Sequence, residues 1–148
     1  MYEFVGVDVS KAKFDCMWLR DIESLKKKSK VLENSPKGIR ASIDWLKKTI
    51  KKPAKEIVVV MEATSIYHEN LAHHLYENGF KVVVANPAHV KAFAESLGAA
   101  HKTDKQDSLV IARFGAVSHS ESPRVYRRLT FLRELAYEQE TWIFPRSA

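Results

Sequence analysis

The feature that most constrains the fold is a continuous apolar run within residues 56–61, Ile-Val-Val-Val-Met, with a glutamate at each end. A strand with one solvated face would alternate apolar and polar side chains, whereas a continuous run is typical of a central strand that is covered on both faces. A second apolar strand follows at 80–85, after a segment with helical character. The pattern predicts a sheet with helices packed on its faces.

The N-terminal third of the chain predicts a meander of three strands. Residues 2–9 and 13–20 are strand-like, and only Ser10-Lys11-Ala12 connects them. Because this link is too short for a parallel crossover, the two strands should form an antiparallel hairpin. Residues 27–33 follow as a third strand, and their lysines suit an edge position.

Helix signals come after these strands. Ser35 suits an N-cap and Pro36 the first helical position, so a helix should begin there and end before Pro53. Further helices are predicted over 66–78, 87–97, 104–117 and from 124 to about 141. The element order β-β-β-α-β-α-β-α-α matches the ribonuclease H-like fold, an α/β class with a mixed five-stranded sheet and flanking helices.

Composition narrows the class of protein. The 148 residues fit one domain, and the formal charge of +6 favours polyanionic partners, with nucleic acid first among them. The lysine clusters within 26–30 and 47–55 are more simply explained as solvated faces. A single cysteine cannot form an internal disulfide, no apolar stretch has the length of a membrane span, and no secretory signal begins the chain. We therefore expect a cytoplasmic protein.

Four carboxylates stand where a divalent-metal site would need them. Asp8 closes the first strand, Glu62 closes the central apolar run, and Asp104 and Asp107 lie three residues apart on one face of a predicted helix. If the first and fourth strands are parallel neighbours, Asp8 and Glu62 lie at the carboxyl ends of the strands, where such sheets usually bind ligands. Carboxylates suit a pair of Mg²⁺ ions acting on a phosphodiester.

Each carboxylate also has an ordinary explanation. A single acid after a strand is usually a turn or cap residue, and acids in the first turn of a helix are favoured by the helix dipole. Four acids gathered without a cation would repel one another and raise one another's pKa values, which makes the combination costly. The residues alone leave the metal site and the ordinary structural roles both open.

Four segments occur in order over about residues 3–117: Val5-Gly6-Val7-Asp8-Val9-Ser10-Lys11, Met61-Glu62-Ala63-Thr64 with Tyr67-His68, Val84-Ala85-Asn86-Pro87 with Val90-Lys91, and Lys102-Thr103-Asp104 with Asp107 and Ala112-Arg113-Phe114. In these segments the chain resembles the N-terminal domain of the DEDD transposases of the insertion sequence 110 family, relatives of the pilin-gene invertase Piv. Ser65 stands where the family has a glycine.

The resemblance implies a RuvC-like domain whose catalytic and metal-binding acids are Asp8, Glu62, Asp104 and Asp107. It implies two Mg²⁺ ions, for which Mn²⁺ can substitute, and metal-dependent DNA strand cleavage and exchange in transposition. The partners that it implies are DNA, a structured non-coding guide RNA and further copies of the chain in a homo-oligomer.

The resemblance also sets the expected domain organisation. Residues 1–123 would be the RuvC-like domain, and residues 124–148 would be a helix and tail that begin a linking region. The family carries a further C-terminal domain with a serine that attacks DNA, and Ala148 precedes any such domain. An alternative is therefore an incomplete fragment that binds nucleic acid or dimerises. A second alternative, half of an actin-like sugar kinase, would need a glycine-rich nucleotide loop, and the five glycines form none.

Several basic residues are candidates for nucleic-acid contact, although a solvated surface position is the simpler alternative for each. Lys11 follows Asp8 and Lys102 precedes Asp104, so either could hold a phosphate. The remaining candidates are Arg113 in a family-like segment and, on the last predicted helix, Arg124, Arg127 and Arg128. His68 could approach the acidic site, but a surface or capping position is the simpler expectation for it, and Cys16 is expected in the core.

Overall fold

The computed structural model describes residues 1–63, 66–98, 107–118 and the backbone of 141–142. The strands are β1 (Glu3–Val9), β2 (Lys13–Asp21), β3 (Lys26–Glu33), β4 (Ile57–Glu62), β5 (Lys81–Ala85) and β6 (Thr141–Trp142). The helices are α1 (Pro36–Ile50), α2 (Glu69–Glu77), α3 (Pro87–Ser96) and α4 (Asp107–Ser118), and a single 3₁₀ turn spans Ala54–Glu56.

The strands form one mixed sheet in the order β3-β2-β1-β4-β5-β6. β1 and β2 form the expected antiparallel hairpin, β3 extends it, and β1, β4 and β5 run parallel to one another. The predicted α/β fold, with a mixed five-stranded sheet and flanking helices, is confirmed. The two-residue β6, antiparallel to β5, was not predicted. The helix predicted from 124 to about 141 lies outside the described residues up to 140, and Thr141 belongs to β6 instead.

Helix α1 begins and ends where the sequence indicates. The Ser35 hydroxyl accepts a hydrogen bond from the Gly38 amide at 3.1 Å, and Pro36 occupies the first position. Lys51 closes the helix in the left-handed conformation, with φ of 58°. The buried stripe faces the sheet and includes Ile39, Ile43, Leu46 and Ile50.

The predicted start of α2 is wrong by three residues. The segment from Ile66 to His68 forms a turn, in which the Glu69 amide donates to the Ile66 carbonyl at 3.1 Å, and the helix begins at Glu69. Ile66 is 72% exposed, so helical continuation through it would bury no apolar surface. Gly79, with φ of 92°, ends this helical segment as predicted.

The sheet divides the core into two layers. Side chains that alternate to one face, such as Val5 and Val7 of β1, pack against α1 and α2. Side chains of the other face, such as Phe4 of β1 and Val60 of β4, pack with residues of α3 and α4. None of the helices in the described part of the chain combines the length and the apolar character needed to cross a bilayer.

Helix α4 lies unusually close to β1 because of Gly6. A Cβ atom added at Gly6 would stand 2.5 Å from the amide nitrogen of Ala112 and closer still to the carbonyl oxygen of Ser108. Both of these atoms belong to the backbone of α4, so glycine is required for this approach. A Cβ atom added at Gly115, about two turns after Ser108 on α4, would similarly conflict with the Val60 side chain. The two glycines therefore set the distance between α4 and the sheet.

Candidate acidic site

Asp8 and Glu62 lie beside each other at the same end of the sheet. β1 and β4 are parallel, and the last pair in their register joins Val7 to Met61. Asp8 and Glu62 each come one residue later, at the carboxyl ends of neighbouring strands. This arrangement confirms the parallel neighbours on which the sequence argument depended, and it places both carboxylates where α/β sheets usually bind ligands.

Both carboxylates also belong to the face of the sheet that α4 covers. Strand side chains alternate between faces, and Phe4 packs on this face, so Gly6 and Asp8 follow it there. Val58 and Val60 belong to the same layer, and Glu62 continues their alternation.

Asp107 comes to this end of the sheet from a different element. It is the first residue of α4 and is exposed, and it acts electrostatically on both Asp8 and Glu62. An acid in the first turn is favoured by the helix dipole, so its location is stable in itself. Asp104, the fourth acid of the predicted set, lies outside the described residues.

The pKa values show that the acids disfavour one another's ionised forms. Burial raises the pKa of Asp8, and the carboxylates of Asp107 and Asp15 raise it further. Burial likewise raises the pKa of Glu62, with additional contributions from Asp8 and Asp107. Two strand ends and a helix start therefore bring like charges into electrostatic contact.

Asp15 is a member of this cluster that the sequence argument missed. It lies on β2 directly opposite Asp8 in the antiparallel register. Its Oδ2 accepts a hydrogen bond from the hydroxyl of Ser108 in α4 at 3.0 Å, while its Oδ1 is buried without a hydrogen-bond partner among the described residues. The sequence did carry a signal for this pairing. In a hairpin closed by the short link at residues 10–12, residue 15 of the second strand lies opposite residue 8 of the first.

The donor chemistry of the cluster fits a hard divalent cation. Carboxylate oxygens are the ligands that Mg²⁺ prefers, and a cation would relieve the repulsion that raises the pKa values of Asp8 and Glu62. Within residues 1–63, 66–98 and 107–118, no three His, Cys, Asp or Glu side chains stand close enough together to enclose a metal ion. The described acids influence one another electrostatically, but they do not by themselves form a closed coordination shell.

The candidate nucleic-acid residues fall into two groups. Lys11 is exposed in the turn between β1 and β2, three residues after Asp8, and Arg113 is half-buried on α4. Arg113 follows Asp107 by six residues, which is about 9 Å along a helix and about 120° around it, so the two side chains leave different sides of α4. Lys102, Arg124, Arg127 and Arg128 lie outside the described residues.

The loops at this end of the sheet are joined through Asn34. Its side-chain amide donates to the carbonyl of Ser10 at 2.9 Å and to the carbonyl of Tyr67 at 3.1 Å. Its backbone amide donates to the Ala12 carbonyl at 2.9 Å. Asn34 therefore holds the turn that carries Lys11 against the segment that precedes α2.

Two further residues considered in the sequence analysis, His68 and Cys16, are both buried. The expected surface position of His68 is wrong, because its side chain is 1% exposed. The residue does stand at the N-cap position of α2, but its side chain makes no capping hydrogen bond. The expected core position of Cys16 is confirmed. Burial raises the pKa of its thiol, with the charge of Asp15 adding to the effect, so Cys16 is not a poised nucleophile.

Comparison with known proteins gives one family. The family model of the DEDD transposases of insertion sequence 110, described as a transposase, matches residues 5–147. Among curated proteins, the chain is similar to the pilin gene-inverting proteins of Moraxella bovis and Moraxella lacunata, each 31% identical over 124 residues. The alignment covers 84% of this chain and 36% of each relative, so the chain spans just over a third of the length of the relatives that it matches.

Proposed function

Since the chain belongs to the DEDD transposase family of insertion sequence 110, we propose that it provides the acidic, metal-binding part of a recombinase that cleaves and exchanges DNA strands. The observation that carries the proposal is that Asp8, Glu62 and Asp107 lie within electrostatic range of one another at one end of the sheet, on the face that α4 covers. The pKa values of Asp8 and Glu62 are both raised, and residues with perturbed pKa values are often found at functional sites.

In this proposal Asp8 is the central ligand, because it lies at the end of the interior strand β1 and both Glu62 and Asp107 lie within electrostatic range of it. Glu62 contributes from the neighbouring strand and Asp107 from the start of α4. Asp104 would complete the set, as the family resemblance implies. Bound Mg²⁺ or Mn²⁺ would supply charge neutralisation at a scissile phosphodiester.

The partners we propose are DNA as substrate and, as the resemblance implies, a structured guide RNA and further copies of the chain. The net charge of +6 favours approach to a polyanion. Lys11, in the exposed turn next to Asp8, is the described basic residue best placed to contact a phosphate. The two curated relatives are named for inverting a pilin gene, and inversion is a rearrangement of DNA.

The test compares Asp8→Asn with Asp44→Asn. Asp44 is an exposed aspartate on α1, on the opposite face of the sheet, and so provides a matched loss of charge. Calorimetric titration of the 148-residue chain with Mn²⁺ should show binding for the native chain and for Asp44→Asn, and loss of that binding for Asp8→Asn. In a full-length recombinase that carries this segment, Asp8→Asn should abolish metal-dependent cleavage of DNA.

Unchanged cleavage by Asp8→Asn would reject the catalytic assignment. Nucleic-acid binding by the native chain in a gel-shift assay, without any metal binding, would instead favour the alternative of a binding module that is catalytically incomplete.

A further inference from the structure

A hydrogen bond between Asp15 and Ser108 joins strand β2 to helix α4, the helix that begins with Asp107. Asp15 stands opposite Asp8 on β2, and Ser108 follows Asp107 on α4. The bond spans 93 positions of sequence and measures 3.0 Å. It connects a carboxylate to a hydroxyl, so it is charge-assisted and stronger than a bond between neutral groups.

Packing alone does not define how α4 is placed along the sheet. Eight of the twelve residues of the helix are buried, from Ser108 to Ala112 and from Phe114 to Ala116. Burial of apolar surface is non-directional, so it fixes the depth of such a helix better than its rotation or its position along the axis. A directional contact near the helix N-terminus is needed to fix these, and the Asp15 bond supplies one.

Ser108 is held from two sides. Its backbone carbonyl lies against the Cα of Gly6 on β1, where an added Cβ would collide with it. Its hydroxyl donates to Asp15 on β2. Both contacts act one residue from Asp107, whose Cα lies about 3.8 Å from that of Ser108. We therefore expect a change in either contact to alter the position of Asp107.

We infer that Asp15 is a positioning residue, which acts through Ser108 to hold Asp107 in place relative to Asp8 and Glu62. The inference rests on the proposed metal-binding function. Asp15 is not assigned as a ligand, because its Oδ2 is engaged with Ser108 and its Oδ1 is buried. The cost of an aspartate opposite Asp8 is consistent with this role, because like charges in a cross-strand pair are destabilising and need a compensating contact.

The test uses substitutions that separate the hydrogen bond from the charge. Ser108→Ala and Asp15→Ala remove the bond, whereas Asp15→Asn keeps an oxygen that can accept from Ser108 and removes only the charge. Ser42→Ala is the matched control, because Ser42 is also a buried helical serine, with its hydroxyl donating to the Ile39 carbonyl at 2.6 Å on the opposite face of the sheet.

Two readouts apply to the 148-residue chain. The first is Mn²⁺ affinity by calorimetry, where loss of a residue that supports a ligand typically costs about 10- to 100-fold. We expect that loss for Ser108→Ala, for Asp15→Ala and for the double variant alike, with smaller losses for Asp15→Asn and none for Ser42→Ala. The second is hydrogen exchange of the amides from Leu109 to Ile111, which should become faster when the bond is removed, with or without metal.

Each outcome decides the inference. An Asp15→Asn loss as large as that of Asp15→Ala, with Ser108→Ala unaffected, would show that Asp15 acts by its charge and would overturn the positioning role. Equal losses for Ser42→Ala and Ser108→Ala would show a general effect on stability and would overturn it as well. If the native chain bound no Mn²⁺, the proposed function would fail. Unchanged amide exchange in Ser108→Ala would separately refute the positioning role of the hydrogen bond between Asp15 and Ser108.

Discussion

Replacing Gly6 by alanine should displace α4 and the acid at its start. An added Cβ would stand 2.5 Å from the Ala112 nitrogen, whereas ordinary contact begins at 3.4 Å. The Ser108 carbonyl oxygen would be closer still, and backbone atoms cannot rotate away as a side chain can, so the helix must retreat by more than about an ångström. Overpacking of this kind costs about 1–3 kcal/mol in free energy of unfolding. For a chain of this length the melting temperature should fall by about 3–10 °C.

The effect on the site should exceed the effect on stability. A misplacement of about 1 Å at a catalytic group can cost about 100-fold in activity, so metal affinity and cleavage should fall together with the displacement of Asp107. Gly79→Ala is the control. Gly79 has φ of 92°, so alanine there is strained, but its Cβ would meet Ala54 at an ordinary 3.6 Å.

The assay is thermal unfolding combined with Mn²⁺ titration of both variants. Gly79→Ala should lose stability and keep the native metal affinity, whereas Gly6→Ala should lose both. If Gly6→Ala matched the native chain in melting temperature and in Mn²⁺ affinity, α4 would not be seated on β1, and the described position of Asp107 would be rejected.

Three further predictions concern stability. Burial and neighbouring carboxylates raise the pKa of Asp8, so its ionised form destabilises the fold. This penalty is absent below the unfolded pKa, grows as pH rises from the unfolded to the folded pKa, and is complete above the folded pKa. Asp8→Asn should therefore stabilise the metal-free chain at pH 7, by less than about 1 kcal/mol since solvent screens a half-exposed group, and the gain should vanish near about pH 3 in urea titrations. Ser35→Ala should cost about 1 kcal/mol in the same assay, because it removes the α1 cap, and Ser35→Asn, a neutral capping residue beside Glu33, should restore most of that loss. Leu46→Ala, at a fully buried position, should cost about 2–5 kcal/mol, and a loss below about 1 kcal/mol would contradict the described packing of α1.

Most of the sheet could be predicted because its signals are local. The Ser10-Lys11-Ala12 link allows only an antiparallel hairpin, and the apolar run ending at Met61 demands cover on both faces. Ser35 and Pro36 mark the start of α1 by their own backbone preferences. Each of these inferences depends on neighbours in sequence, and the structure confirms them.

The remaining features depend on tertiary contacts. Ile66 is 72% exposed and Tyr67 is 40% exposed, whereas His68 in the same turn is buried, and α2 begins only after it. Which of these side chains is covered depends on contacts with distant parts of the chain. Asp15 was overlooked because its importance comes from Ser108, which lies 93 positions away and is brought close only by the packing of α4. The pairing of β6 with β5 is likewise non-local.

The parallel pairing of β1 with β4 has a consequence for the order of folding. The meander from β1 to β3 joins residues that are close in sequence, whereas β1 pairs with a strand more than fifty positions away, and Gly6 meets a helix more than a hundred positions away. Contacts between residues far apart in sequence form late, because the entropy cost of closing a long loop comes before the contacts stabilise the chain. As the chain is synthesised, the meander can assemble while Asp107 is still absent. The repulsion between Asp107 and the strand acids therefore opposes only the docking of α4, whereas the repulsion of Asp8 by Asp15 and by Glu62 already acts while the sheet forms.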